Sequence, residues 1–197
     1  MFTGIIEEKA ILVDITSEGS NLKLTFESPI SGKLKIDQSI AHNGICLTVV
    51  SVEKNKHTVV AILETIEKTT IGSWELGDEI NLERAMTASA RFDGHFVQGH
   101  IDQIAICEKV KEVEGSWEFT FVFPKKSKFM LIDKGSITIN GVSLTVVKSK
   151  KQKFKVAIIP YTFEHTTFKD ITPGNIVNIE FDVIGKYIEK MSKALKK

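Results

Sequence analysis

The chain of 197 residues carries 26 Lys and Arg against 25 Asp and Glu, a formal net charge of +1, and 42% of its residues are hydrophobic. That balance, with no basic stripe interleaved with aromatics, argues against a nucleic-acid partner, and no apolar run approaches the roughly 18 residues of a membrane span. Glu7, Glu8 and Lys9 interrupt the N-terminus before a signal-peptide run forms, so a cytoplasmic protein without a membrane partner is expected.

Short runs rich in Val, Ile, Thr and Phe, bounded by Gly, Asn, Lys and Pro, dominate the chain. In the first half they predict strands over 4–14, 20–27, 38–42, 45–53, 57–64 and 79–84, with a helical turn near 66–71. Met86 to Gly94 lacks periodicity and reads as a linker. Strands are expected again over 97–111, 116–123, 136–139, 142–150, 153–160 and 175–181, with a turn near 125–131. After Asp182 the period becomes helical, with Ile184, Tyr187, Ile188, Met191 and Leu195 at three- and four-residue steps. That apolar stripe must be buried, either on its own barrel or on neighbouring subunits, and we expect oligomerisation.

The chain also repeats itself. Ser39-Ile-Ala-His-Asn-Gly-Ile-Cys-Leu-Thr-Val-Val50 returns as Ser136-Ile-Thr-Ile-Asn-Gly-Val-Ser-Leu-Thr-Val-Val147. Thr65, Glu67, Thr69 and Thr70 return as Thr162, Glu164, Thr166 and Thr167, and Gly77, Asn81 and Glu83 as Gly174, Asn178 and Glu180. The period is too long for a solenoid unit of about 20–50 residues but suits a small domain. Six short strands per copy suggest closed barrels, which leave no sheet edge exposed. The expected fold is all-β: two tandem, similar six-stranded Greek-key barrels over 1–86 and 97–183, a linker at 87–96, and an oligomerisation helix at 184–197. Asn43-Gly44 and Asn140-Gly141 mark tight turns inside the repeated block.

Candidate chemistry sits on that block. Along Val142 to Val147, Ser143 and Thr145 share one face and Val142, Leu144 and Val146 the other; Cys46 and Thr48 oppose Ile45, Leu47 and Val49 in the same way. Period alone fits a solvated polar face as well as a pocket wall. Cys46 and Cys107 stand in no Cys-x-x-Cys spacing, His95 and His100 do not make a convincing metal pair, and no phosphate-binding glycine loop is present. Neither a disulfide framework nor a zinc site is suggested.

Met1-Phe-Thr-Gly-Ile-Ile6, the Ala41–Thr48 block, Gly99-His-Ile101 after Phe96, the Asn140–Thr145 block and Asn178-Ile-Glu-Phe-Asp182 together resemble the riboflavin synthase family, alpha-chain type, through the whole chain. The resemblance implies a transferase that dismutates two molecules of 6,7-dimethyl-8-ribityllumazine by four-carbon transfer. The products are riboflavin and 5-amino-6-(D-ribitylamino)uracil, without cofactor or metal. It implies a homotrimer whose site lies between the N-terminal barrel of one chain and the C-terminal barrel of another, and it raises association with lumazine synthase. By the same resemblance Gly4, Ile5, Ile6, Ser39, Cys46, Leu47, Thr48, Ala61, Ile62, Leu63, Glu64 and Thr65 of the first barrel hold one lumazine. Gly99, His100, Ile101, Lys134, Ser143, Leu144, Thr145, Ile158, Ile159, Pro160, Tyr161 and Thr162 hold the other. Catalytic roles fall to His100, Ser143, Thr145, Cys46, Asp182, Phe2 and Ser39. His100 suits a proton shuttle because imidazole titrates near neutrality, and Ser143 and Thr145 can donate to the lumazine ring or orient His100. The alternative is a non-catalytic antenna protein binding lumazine or flavin; a flavin reductase barrel would need a nucleotide-binding domain with a glycine loop beside it.

Overall fold

The computed structural model describes residues 1–124 and 129–195. Among the described residues twelve strands form two closed antiparallel barrels. The first holds β1 (Glu8–Glu18), β2 (Asn21–Glu27), β3 (Ser39–His42), β4 (Ile45–Glu53), β5 (Lys56–Ala61) and β6 (Glu79–Arg84) in the order β1-β2-β5-β4-β3-β6. The second holds β7 (Gln103–Val113), β8 (Ser116–Val122), β9 (Ser136–Ile139), β10 (Val142–Lys150), β11 (Lys153–Ile158) and β12 (Ile176–Phe181). Its closed order, β10-β11-β8-β7-β12-β9, is the first order traced from another strand. Helices α1 (Leu63–Lys68) and α2 (Pro160–His165) occupy equivalent places, and α3 (Val183–Ala194) ends the described chain.

Strands β4, β6, β9 and β10 keep their predicted bounds; Asn43-Gly44 marks the start of β4, and Asn140-Gly141 the end of β9 and the start of β10. Elsewhere tertiary contacts move the ends. The strand expected over 4–14 runs 8–18, and that over 97–111 runs 103–113. The residues dropped from each start form separate arms. The strands expected over 57–64 and 153–160 stop at Ala61 and Ile158, since Ile62 and Ile159 are helix N-caps in extended conformation and α1 and α2 follow. The turn expected over 66–71 is therefore α1, three residues earlier, and its counterpart α2 went unpredicted. Of the turn expected over 125–131, residues 125–128 lie outside the described residues and 129–131 are not helical. Helix α3 begins on Asp182, whose side chain accepts the Ile184 N–H at 2.9 Å as an N-cap.

Alternation places one side of each strand inside. In β4, Ile45, Leu47 and Val49 are buried while Thr48 is exposed; in β10, Val142 and Val146 are buried while Thr145 is exposed. The barrels meet through a reciprocal amide network. Asn81 Nδ2 donates to Asn140 O at 2.9 Å, and its counterpart Asn178 Nδ2 donates to Asn43 O at 3.0 Å. The Thr167 N–H donates to Asn81 Oδ1 and the Thr70 N–H to Asn178 Oδ1, both at 2.8 Å. Gly44 and Gly141 pack back to back, and a Cβ on either would come within 2.8 Å of the other's backbone nitrogen. Only glycine allows that approach at φ +80° and +83°. Among the described residues no helix is long and apolar enough to cross a membrane.

Candidate functional site

The two arms cross. Phe2 and Val97 exchange backbone hydrogen bonds of 2.8 and 3.1 Å and are fully buried beside Ala41 and Cys46. From that crossing the N-terminal arm runs to the second barrel, where Gly4 O accepts the Ser143 N–H at 2.8 Å and Ile6 packs on that barrel's core. The arm leading into the second barrel runs to the first, where Gly99 O accepts the Cys46 N–H at 2.9 Å and Ile101 joins the first core. A Cβ at Gly4 or Gly99 would stand 2.5 Å from Cβ of Ser143 or Cys46. Both glycines have φ near +80°, so both features require glycine.

This exchange changes the grouping expected from sequence. Gly4, Ile5 and Ile6 were expected with the first barrel, yet their arm seats on Ser143. Gly99, His100 and Ile101 were expected with the second, yet they seat on Cys46. A chain folded as two separate barrels would keep each arm at home. Crossing instead buries Phe2 and Val97 together beside Ala41 and Cys46.

Around Cys46 the ladder pairs Ser39 with Thr48 and Ala41 with Cys46, so β3 sets Ser39 beside the polar face of β4. Burial raises the Cys46 thiol above its usual pKa, a hydrogen bond from Ser39 opposing it, so the group is a thiol rather than a thiolate. Ala61 ends β5 fully buried, Ile62, Leu63 and Glu64 are exposed, and Thr65 is half-buried in α1. His100 is exposed on the arm above Cys46.

Around Ser143 the ladder pairs Thr138 with Ser143 and Ser136 with Thr145. Ile158 is buried, Ile159, Pro160 and Tyr161 are exposed, and Thr162 is half-buried in α2. Lys134 sits at φ +67° in the turn before β9, its N–H donating to Val146 O at 2.8 Å. Within this chain Ser143 has a different histidine beside it. Its hydroxyl meets His95 Nδ1 at 2.6 Å, and His95 Nε2 meets Thr138 Oγ1 at 3.1 Å. Burial lowers the His95 pKa, with the Asp182 carboxylate opposing. Sequence reasoning weighed His95 only as a metal ligand, because nothing in the linker shows that its ring folds back onto β10. Among the described residues no cluster of His, Cys, Asp or Glu is placed to hold a metal ion.

A buried glutamate anchors each arm. Glu83 Oε1 accepts from Thr3 N–H at 2.6 Å and Thr3 Oγ1–H at 2.8 Å, and Oε2 from Gly4 N–H at 2.9 Å. Glu180 accepts from the N–H groups of Gln98, Gly99 and His100 at 2.7, 2.9 and 3.0 Å. Burial raises both pKa values, that of Glu180 to about 7, although the N–H donors favour the ionised form.

A lumazine-binding-domain family model matches residues 3–85 and again 98–182. The chain is 41% identical over 192 residues to riboflavin synthase of Actinobacillus pleuropneumoniae, covering 96% of this chain and 89% of that protein. It is 40% identical to riboflavin synthase of Bacillus subtilis (strain 168), covering 95% and 88%, and 36% identical to that of Schizosaccharomyces pombe, covering 98% and 95%. Among solved structures, LumP complexed with riboflavin superposes with a TM-score of 0.85 over 92% of this chain and 99% of that one at 22% identity, a likeness of fold.

Proposed function

This chain belongs to the riboflavin synthase family, and we propose how its two barrels divide that family's reaction. The protein is a transferase that dismutates two molecules of 6,7-dimethyl-8-ribityllumazine into riboflavin and 5-amino-6-(D-ribitylamino)uracil. One half-site is built on Cys46, Thr48 and Ser39 with Ala61–Thr65 and the arm Gly99–Ile101 above them. The other is built on Ser143, Leu144, Thr145, Lys134 and Asp182 with Ile158–Thr162 and the arm Gly4–Ile6. The reciprocal seating of Gly99 on Cys46 and Gly4 on Ser143 carries this reading, because it makes two equivalent cradles from one chain.

The reaction needs a proton removed from the 7-methyl group of one lumazine and a nucleophile delivered to the other. His100, exposed over the Cys46 half-site, is the proton acceptor. Ser143 is the hydroxyl donor or nucleophile of the opposite half-site, with His95 in place to take its proton. Cys46, held as a thiol, donates a hydrogen bond rather than attacking. Two substrates held face to face turn a bimolecular encounter into a near-unimolecular step, a gain of roughly 7–11 kcal/mol for well-oriented reactants. The facing barrels come from different chains of a trimer. The exposed stripe Ile184, Tyr187, Ile188 and Met191 of α3, continued by its C-cap Leu195, supports that assembly, since such a face on a twelve-residue helix needs a cover. Lumazine synthase is the partner to test for a larger complex.

The test is to incubate the purified protein with 6,7-dimethyl-8-ribityllumazine, without added cofactor or metal, and follow riboflavin absorbance. One riboflavin per two lumazines consumed is expected. Tight binding without turnover would move the chain to a carrier role.

A further inference from the structure

We propose that Glu83 and Glu180 are crosswise positioning residues, each standing on one barrel and setting the half-site of the other. Glu180 lies on β12 of the second barrel, yet the three N–H groups it accepts belong to the arm whose Gly99 carbonyl takes the Cys46 N–H of the first. Glu83, on β6 of the first barrel, holds Thr3 and Gly4, whose carbonyl takes the Ser143 N–H of the second. A second carboxylate braces each clamp. Glu7 accepts the Arg84 N–H at 2.8 Å, and Asp102 the Phe181 N–H at 2.9 Å while pairing with Lys186 of α3 at 2.5 Å.

The arms need this because, among the described residues, they lie outside the strands and share one isolated bridge, Phe2–Val97, and buried N–H groups must find acceptors. A carboxylate offers acceptors on both oxygens, so N–H groups converging on it fix orientation as well as position. An amide of the same shape turns one oxygen into a donor aimed at an N–H. Glu180→Gln should therefore loosen the arm over Cys46, and Glu83→Gln the arm over Ser143.

The catalytic consequence rests on the half-sites proposed above; the seating does not, so the two are read separately. Cys46 is half-buried and Cys107 only 1% exposed, so iodoacetamide alkylation followed by mass spectrometry reports on the first half-site. Glu180→Gln is expected to speed Cys46 alkylation about tenfold or more and to lower turnover by at least as much, a misplacement effect. Glu83→Gln is expected to lower turnover comparably while Cys46 reacts at the parental rate. Unchanged Cys46 reactivity in Glu180→Gln, or equal speeding in both variants, would overturn the proposal. The predicted thiol pattern in a parent protein without turnover would keep the clamps and sink the synthase reading. Should Glu180→Gln fail to fold, hydrogen exchange on the parental protein decides. The amides of Gln98, Gly99, His100 and Cys46 are expected to open as one unit, whereas a protected Cys46 amide beside freely exchanging arm amides would refute the clamp.

Discussion

The two barrels share one strand order and differ in what fills them. In the first, the Phe26 ring lies 4.5 Å from His42 and 5.5 Å from His57, and the imidazoles bond to each other through their Nε2 atoms at 2.8 Å. In the second, Ile139 and Phe154 take those two places, and Phe119, Phe121, Phe123, Phe168 and Phe181 complete a phenyl core. One topology therefore accepts either a polar pair or hydrocarbon in the same volume, even though His42 Nδ1 is left without a hydrogen-bond partner among the described residues. The cost of the polar pair is pH sensitivity. One ring must donate and the other accept, so two imidazoliums would face donor to donor. Burial holds His42 well below the usual range and His57 at about 4.

The largest break in the comparison concerns α3, which only the second barrel carries. Removing residues 184–197 should leave both barrels folded but abolish turnover and convert trimers to smaller species, as sedimentation and a riboflavin assay would show. A fully active monomer would contradict a site shared between chains.

Next come the arms. Gly99→Ala and Gly4→Ala each drive a Cβ into the opposite barrel at 2.5 Å, and turnover should fall about 100-fold or more, the scale of a misplacement near 1 Å. Gly19→Ala, where a Cβ meets nothing within 4 Å, should leave turnover near parental and supplies the control. A similar loss of about 100-fold is expected for His100→Ala with folding intact, the contribution of one general base. Steady-state rates and circular dichroism separate the two causes.

The smallest effect sharpens the comparison of cores. The His57 pKa is depressed in the folded state, so its contribution is whole above about pH 6.5 and is lost as pH falls towards 4, a swing of about 3 kcal/mol. Trp74 packs edge-on to Phe26 in the first barrel, while Trp117 stacks on Phe163 in the second. Acid should therefore move Trp74 fluorescence before Trp117 fluorescence in single-tryptophan variants. The pair His42→Ile and His57→Phe, which copies the second barrel, should remove the lag.

Much of the fold was legible because its signals are local. Asn140-Gly141 and the alternation of Val142 to Val146 placed β9 and β10 without tertiary help. The starts of β1 and β7 were misplaced because Ile5-Ile6 and Ile101 carry the same apolar signal as a strand, although Ile6 and Ile101 pack half-buried against the opposite barrel's core and Ile5 is exposed. Ile62-Leu63 extended β5 on paper for a related reason, since a short apolar run does not distinguish a strand end from a helix start. In the site, Cys46, Thr48, Ser143 and Thr145 were legible as one polar face of a repeated strand. His95, Glu83 and Glu180 were not, because their partners lie 48, 80 and up to 82 residues away in sequence.

Two barrels, most strand positions and a separate final helix can be read from neighbouring residues, because periodicity, turn chemistry and repetition are local properties. Which arm serves which barrel, which histidine meets Ser143 and which carboxylate holds each loop are settled in three dimensions alone. Those choices depend on the burial of Phe2 and Val97 beside Ala41 and Cys46 and on hydrogen bonds between residues far apart in the chain, which no local pattern records.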